Sequence, residues 1–265
     1  MNRSCVFVVV FTWVIVPAQS SGQAISSRQG DMLIMEPRPP QASSRAELDA
    51  YLDLVQSREP RETISQAKSF VERFPGSEFL GHVWRFQMKS YQAINDAQNA
   101  IAAGTKALEL NSHDVEALLT LAHLLPVRVT ASEQPSQVLI TAQEYARRAL
   151  GEVQRLKAPR PLALETWRET RGRMKASAHE ALGVIAFKQG HYSRSVAELE
   201  MSTRANVSPQ GSQFYRLGMA YLFDKKPQEA MTALRRASEL GPEAIRLKAE
   251  SELSRLSKGR IEQCK

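Results

Sequence analysis

A histidine followed by a glutamate, His179-Glu180, is the pair of side chains in this sequence that most resembles a catalytic motif. A zinc peptidase helix carries H-E-x-x-H, because histidines four residues apart share a helix face and the glutamate reaches the metal-bound water. Here Gly183 stands where the second histidine should be, so an essential ligand is missing. The other histidines show no ligand spacing. The sequence therefore predicts no metal site and no cofactor.

Two further motifs that signal catalysis are absent from the sequence. No glycine-rich loop of the form G-x-x-x-x-G-K-[ST] could hold a phosphate, and no G-x-S-x-G turn presents a serine nucleophile. We therefore predict no catalytic residues and no enzymatic activity.

Positive charge is concentrated in residues 155–175. The formal net charge of the chain is +7, and this stretch has Glu165 and Glu169 as its only carboxylates. A basic stretch attracts anionic surfaces such as acidic proteins or lipid head groups, although runs of charge are also typical of solvated helix surface. Nucleic acid is a poor fit, because Trp167 alone cannot form a stacking platform for bases. The basic residues are Arg155, Lys157, Arg160, Arg168, Arg171, Arg173 and Lys175.

The first 20 residues have the three parts of a secretory signal. Arg3 supplies a positive start, residues 5–16 form an apolar run, and the small residues Ala18 and Ser20 suit a signal peptidase. The alternative is a membrane anchor, but crossing a bilayer takes about 20 apolar residues, and this run is shorter. We expect residues 1–20 to be a cleaved signal peptide, the mature protein to be periplasmic or secreted, and no integral membrane span to remain.

Residues 21–43 separate this signal from the rest of the chain. They are rich in Gln, Ser and Arg and contain the run Pro37-Arg38-Pro39-Pro40, which predicts a flexible tether. At the other end, residues 258–265 are expected to form a disordered tail. Once the signal is removed the chain keeps one cysteine, Cys264. An internal disulfide is then impossible, and the thiol either bridges two molecules or is incidental.

From Ser44 onward, apolar and small residues recur at helical spacing. The clearest stretch is Leu217-Gly218-Met219-Ala220-Tyr221, followed by Ala230, Leu234, Ala237 and Pro242. It resembles one unit of the tetratricopeptide repeat (TPR), a helix–turn–helix of about 34 residues with the signature W-x2-L-G-x2-Y, then A-x3-F, then P. One unit cannot bury its apolar face alone, so units stack into a superhelix. The resemblance implies an all-α fold, an antiparallel helix-pair solenoid.

Five units of varying quality are predicted in a repeat domain over residues 44–257, closed by a C-terminal capping helix. The last two units are the clearest, with Leu182-Gly183 and Leu217-Gly218 in corresponding places. In the second unit Met88 replaces the signature glycine, and Gly104 replaces a large apolar residue. These exchanges predict a looser helix crossing at that unit. The third unit is interrupted by a long connection between its two helices, at residues 127–135.

The resemblance also implies a binding groove. In TPR proteins the first helix of each unit lines the concave surface and carries the ligand contacts. Arg85 and Lys89, one turn apart, could hold a carboxylate there, although the asparagine of the family's carboxylate clamp is missing. Extending the pattern unit by unit gives His82, Arg85, Lys89, Glu116, His123, Glu180, Lys188, Tyr215 and Met219 as groove residues.

Two functional hypotheses follow from these features. The first is an exported scaffold or adaptor that binds a protein or peptide segment in the groove and has no catalysis of its own. The second is peripheral attachment to an anionic envelope polymer or membrane surface through residues 155–175. High salt should weaken the second kind of binding more than the first, because it screens exposed charges.

Overall fold

The computed structural model describes residues 39–128, 135–158 and 163–263, and these form eleven α-helices with no strand. The predicted signal, Arg160 and Cys264 lie outside the described residues. The first six helices are α1 (Arg45–Gln56), α2 (Pro60–Arg73), α3 (Leu80–Ala93), α4 (Ala97–Leu110), α5 (Val115–Val127) and α6 (Pro135–Arg155). The remaining five are α7 (Leu164–Lys188), α8 (Tyr192–Ala205), α9 (Gly211–Phe223), α10 (Pro227–Leu240) and α11 (Glu243–Gln263).

Helices that are consecutive in sequence pack against each other along the whole array, in five pairs followed by α11. This confirms the predicted all-α helix-pair solenoid. Ser44 begins the array, since its side chain accepts the backbone N–H of Glu47 and caps α1. The capping helix α11 packs on α10 and continues to Gln263, beyond the boundary expected at residue 257.

Glycine permits close crossing in the two C-terminal pairs. A Cβ atom at Gly183 of α7 would lie 2.6 Å from Leu199 Cγ of α8, and one at Gly218 of α9 would lie 2.8 Å from Leu234 Cγ of α10. Non-bonded contacts of Cβ atoms are almost never this short, so the helices could not approach this closely with a side chain present. The two signature glycines are thus explained by helix packing.

In the second pair, α3 and α4, a glycine again faces a large side chain, but here the glycine is on the second helix. Met88 of α3 is completely buried, and a Cβ atom at Gly104 of α4 would lie 2.9 Å from its sulfur and 3.2 Å from Leu121 Cδ2. The large side chain therefore comes from the first helix and the glycine from the second. The methionine side chain fills the space that the glycine leaves, and the looser crossing expected from these residues stays a prediction.

Aromatic packing joins the first pair to the residue that precedes α3, and a buried carboxylate holds the segment before α1. The ring of Tyr51 in α1 stacks on Phe79, with centroids 4.2 Å apart. Glu47 is buried, and its Oε2 accepts hydrogen bonds from the backbone N–H and the hydroxyl of Ser43 at 2.6 and 2.5 Å. The backbone N–H of Gln41 also donates to Glu78 Oε2, at 3.0 Å. Residues 41–43, the end of the expected tether, therefore contact the helical domain.

Candidate functional site

The first helices of successive pairs, α1, α3, α5, α7 and α9, contact one another through their side chains and form a row that we call the first-helix face. Tyr51 of α1 hydrogen-bonds His82 of α3, with 3.1 Å between the hydroxyl and Nδ1. Burial lowers the pKa of His82. All nine predicted groove residues belong to α3, α5, α7 and α9, and six of them take part in the contacts that link one first helix to the next.

The N-terminal part of this face is a network of ion pairs. Arg85 of α3 lies 3.2 Å from Asp114 Oδ2, at the start of α5, and 3.7 Å from Glu116 Oε2. Lys89 Nζ is 2.8 Å from Glu116 Oε1. Asp114 is buried and also caps α5, since it accepts the backbone N–H of Ala117. The two cations expected to hold a partner's carboxylate are therefore already paired with carboxylates of this chain.

The middle of the face is a partly buried polar contact between α5 and α7. His123 Nε2 lies 2.9 Å from the Ser177 hydroxyl. Burial lowers the pKa of His123, which favours the neutral imidazole at pH 7. One turn further along the same face of α7, Glu180 pairs with Arg216 and accepts a hydrogen bond of 3.4 Å from Gln213. These bonds link α7 to α9, so the predicted residues His123 and Glu180 bridge neighbouring helices.

The C-terminal part of the face is open and mainly apolar. Between α7 and α9 lies a pocket of about 270 Å³, lined by Val184, Phe187, Lys188, Leu199, Tyr215, Arg216 and Met219. The predicted groove residues Lys188, Tyr215 and Met219 are therefore brought together. Sequence reasoning missed the other four, although Val184 lies one helical turn before Lys188, on the same face of α7.

The two residues of the His179-Glu180 motif lie on different sides of α7. His179 Nδ1 is 2.8 Å from Glu198 Oε2 of α8, whereas Glu180 faces Arg216 of α9. Within residues 39–128, 135–158 and 163–263, no group of three or more histidine, cysteine, aspartate or glutamate side chains is arranged to hold a metal ion.

The basic residues of segment 155–175 that the structure describes lie at or just after the end of α6 and along α7, and they do not all face one direction. Arg155, Arg168 and Arg173 pair with glutamates one turn away on their own helices, at 2.9, 3.5 and 3.9 Å. Arg171 Nη2 donates to the Gln154 carbonyl at 3.4 Å. Arg173 lies about 140° around α7 from Arg168, since each helical residue turns about 100°. The positive charge of this segment is therefore divided between surfaces and partly neutralised.

Comparison with known proteins agrees with the repeat pattern. A sequence model of the tetratricopeptide repeat matches residues 214–243, which include most of α9 and all of α10. No curated protein sequence matches the chain.

Solved structures share the helix-pair fold. A thermophilic TPR protein from Thermus thermophilus is 13% identical with a TM-score of 0.55, over 78% of this chain and 98% of that one. PilW, described as a widely conserved type IV pilus biogenesis factor, is 15% identical with a TM-score of 0.51, over 74% and 78%. The MamA protein is 16% identical with a TM-score of 0.50, over 73% and 89%. At these identities the likeness shows the fold alone.

The sequence model matches one tetratricopeptide-repeat unit, and the packed helix pairs give the described part of the chain a TPR-like solenoid fold. Stacked helix-pair repeats of this kind generally serve as scaffolds for protein–protein interaction. None of the helices in the described part of the chain is long and apolar enough to span a membrane.

Proposed function

We propose that this protein is an exported TPR scaffold that binds a protein or peptide segment on its first-helix face. The observation that carries the proposal is the open pocket between α7 and α9. Elsewhere on the face, side chains of adjacent first helices satisfy one another, as Lys89 and Glu116 do. A mainly apolar opening beside such a network is the part of the surface where a ligand would bury the most exposed apolar area.

Export is proposed from the N-terminal sequence. Arg3, the apolar run at residues 5–16 and the small residues that follow have the composition of a cleaved signal. Mass spectrometry of the protein purified from an envelope fraction tests this. The intact chain should begin near Ser21, whereas a chain that starts at Met1 in the cytoplasm would contradict export.

The alternative function, attachment to an anionic polymer or membrane surface through residues 155–175, has less support. Arg155 and Arg168 have carboxylate partners nearby, and Arg168 and Arg173 point in different directions around α7. Exposed arginines that are already paired and dispersed provide weak, salt-sensitive attraction. A folded scaffold with an apolar pocket is therefore the better explanation of the surface.

Affinity capture of the mature chain, residues 21–265, from envelope extract tests the proposed function. We expect a discrete partner that remains bound at high salt, is lost with Met219→Asp in the pocket, and is retained with Met201→Asp. Met201 is a matched control, because it is an exposed methionine on the second helix α8.

Two results would contradict the proposal. Equal recovery of the partner by both methionine variants would place binding away from the first-helix face. Recovery of anionic material only at low salt, abolished by reversing the charges of Arg168, Arg171 and Arg173, would favour the basic segment instead.

A further inference from the structure

The pocket between α7 and α9 has the size of a site for one or two side chains. Its volume of about 270 Å³ lies below the range of about 300–1,000 Å³ that is common for small-molecule and cofactor sites. Leu199 of α8 forms its floor and is almost completely buried. The pocket therefore suits a protruding side chain of a polypeptide better than a whole cofactor.

The walls of the pocket come from residues spaced one turn apart on two helices. Val184 and Lys188 are four residues apart on α7, and Tyr215 and Met219 are four apart on α9, so each pair shares a helix face. Met219 adds adaptability, because its unbranched thioether side chain can adjust to guests of different shapes. These walls would hold an aliphatic or aromatic side chain by apolar contact.

Aromatic rings extend the apolar surface beyond the pocket. Phe187, which lines the pocket, packs edge to face against Phe223 of α9, with ring centroids 4.9 Å apart, and against Tyr192 of α8, with centroids 5.4 Å apart. Phe223 remains 48% exposed. A bound segment can therefore continue from the pocket along the rings at the C-terminal ends of α7 and α9.

The charges around the pocket are positive. Lys188 and Arg216 are the charged residues among those that line it, and no carboxylate lines it. Arg216 is paired with Glu180, but Lys188 is exposed, and its side chain has no hydrogen bond or ion pair with any described residue. A carboxylate next to a buried apolar side chain would find an available cation there.

We propose that this pocket recognises a partner segment in which one bulky apolar residue is flanked closely by aspartate or glutamate. The apolar side chain occupies the space over Leu199 between Val184 and Met219, and the carboxylate pairs with Lys188. This inference rests on the proposed function and specifies the chemistry of the ligand. The apolar contact supplies most of the affinity, and the charge selects among apolar segments.

Selection from a phage-displayed library of random dodecapeptides on the purified mature chain tests the specificity. We expect the enriched peptides to share a Leu, Ile, Met or aromatic residue with an acidic residue within two positions. Synthetic fluorescent versions of the enriched peptides then give affinities by fluorescence anisotropy. Enriched peptides without acidic residues would overturn the inference.

Variants separate the apolar contribution from the charge. Met219→Ala should weaken the selected peptides about tenfold, the scale of a central contact. Lys188→Glu should weaken them about fivefold to tenfold at low salt and less at high salt, because an exposed attraction becomes a screened repulsion. A new selection on Lys188→Glu should favour basic flanking residues. Arg235→Glu, at an exposed position on α10, is the control for general charge effects and should change nothing.

The possible failures are distinguishable from one another. If peptides or an envelope partner bind with the same affinity after Met219→Ala and after Lys188→Glu, the inference is overturned. The protein would then be a scaffold that binds its partner elsewhere. Absence of any peptide and of any envelope partner would overturn the proposed function as well. Self-association of the chain that disappears in Met219→Ala, measured by analytical ultracentrifugation, would identify a second copy as the occupant and overturn the proposed ligand.

Discussion

The contact between Met88 on α3 and Gly104 on α4 predicts how a double variant of these residues affects stability. If the two residues fill one space, then Met88→Ala and Gly104→Leu together restore the arrangement of the C-terminal pairs, with the small residue on the first helix and leucine on the second. Each change alone should damage the crossing of α3 and α4. The double variant should recover much of that loss.

The magnitudes follow from the packing. Met88 is completely buried, so Met88→Ala should cost about 2–5 kcal/mol in lost contacts and cavity. Gly104→Leu places new atoms where even a Cβ would be 2.9 Å from the Met88 sulfur. Such overpacking costs about 1–3 kcal/mol, offset by about 0.8 kcal/mol of improved helix propensity. If the two effects were independent, the losses in the free energy of unfolding would add. We expect the double variant to lose about 2 kcal/mol less than that sum.

The assay is chemical denaturation followed by far-UV circular dichroism on the four proteins of the cycle, with midpoints and slopes compared. Met201→Ala serves as a control at an exposed methionine and should cost less than about 0.5 kcal/mol. Additivity of the Met88 and Gly104 changes to within about 0.5 kcal/mol would refute the reasoning, because it would mean that the two side chains do not share one space.

Three further predictions concern buried or partly buried polar groups, each measured by denaturation of the variant and the parent. Asp114→Ala should cost about 1–3 kcal/mol, because it removes the cap of α5 and leaves Arg85 without its nearest carboxylate; a loss below about 0.5 kcal/mol would contradict this. Hydrogen bonds from Ser43 hold the pKa of Glu47 below its ordinary value, so stability should fall on acidification through that lowered pKa, and Glu47→Gln should reduce the slope. Burial lowers the pKa of His123, so stability should fall as the pH drops below about 6.5, and His123→Gln should flatten that dependence. If Glu47→Gln or His123→Gln leaves the slope of stability against pH unchanged, the replaced side chain does not cause that pH dependence.

Helix pairing was predictable from the sequence because it depends on residues within one unit. Gly183 and Gly218 contact leucines on the helix that follows, and the spacing of such residues is visible in the chain. The exchange at Gly104 illustrates the limit of that reasoning. Two departures from a pattern, each unfavourable alone, compensate when they meet in space.

The candidate site was less predictable because it depends on contacts between units. Arg85 was correctly placed on a first helix, but its pairing with Asp114 depends on the angle at which α5 stacks on α3. The basic segment is continuous in sequence, whereas helical rotation directs Arg168 and Arg173 to different surfaces. The floor of the pocket, Leu199, comes from a second helix, and first-helix spacing alone gave no indication of it.

Site-specific photocrosslinking in producing cells tests the central claim most directly. A photoreactive amino acid replaces Met219 in the pocket or Met201 on α8, and adducts are resolved by mass. The account predicts a discrete protein adduct from position 219 and none from position 201. Adducts from position 201 alone, or from neither position, would contradict binding on the first-helix face.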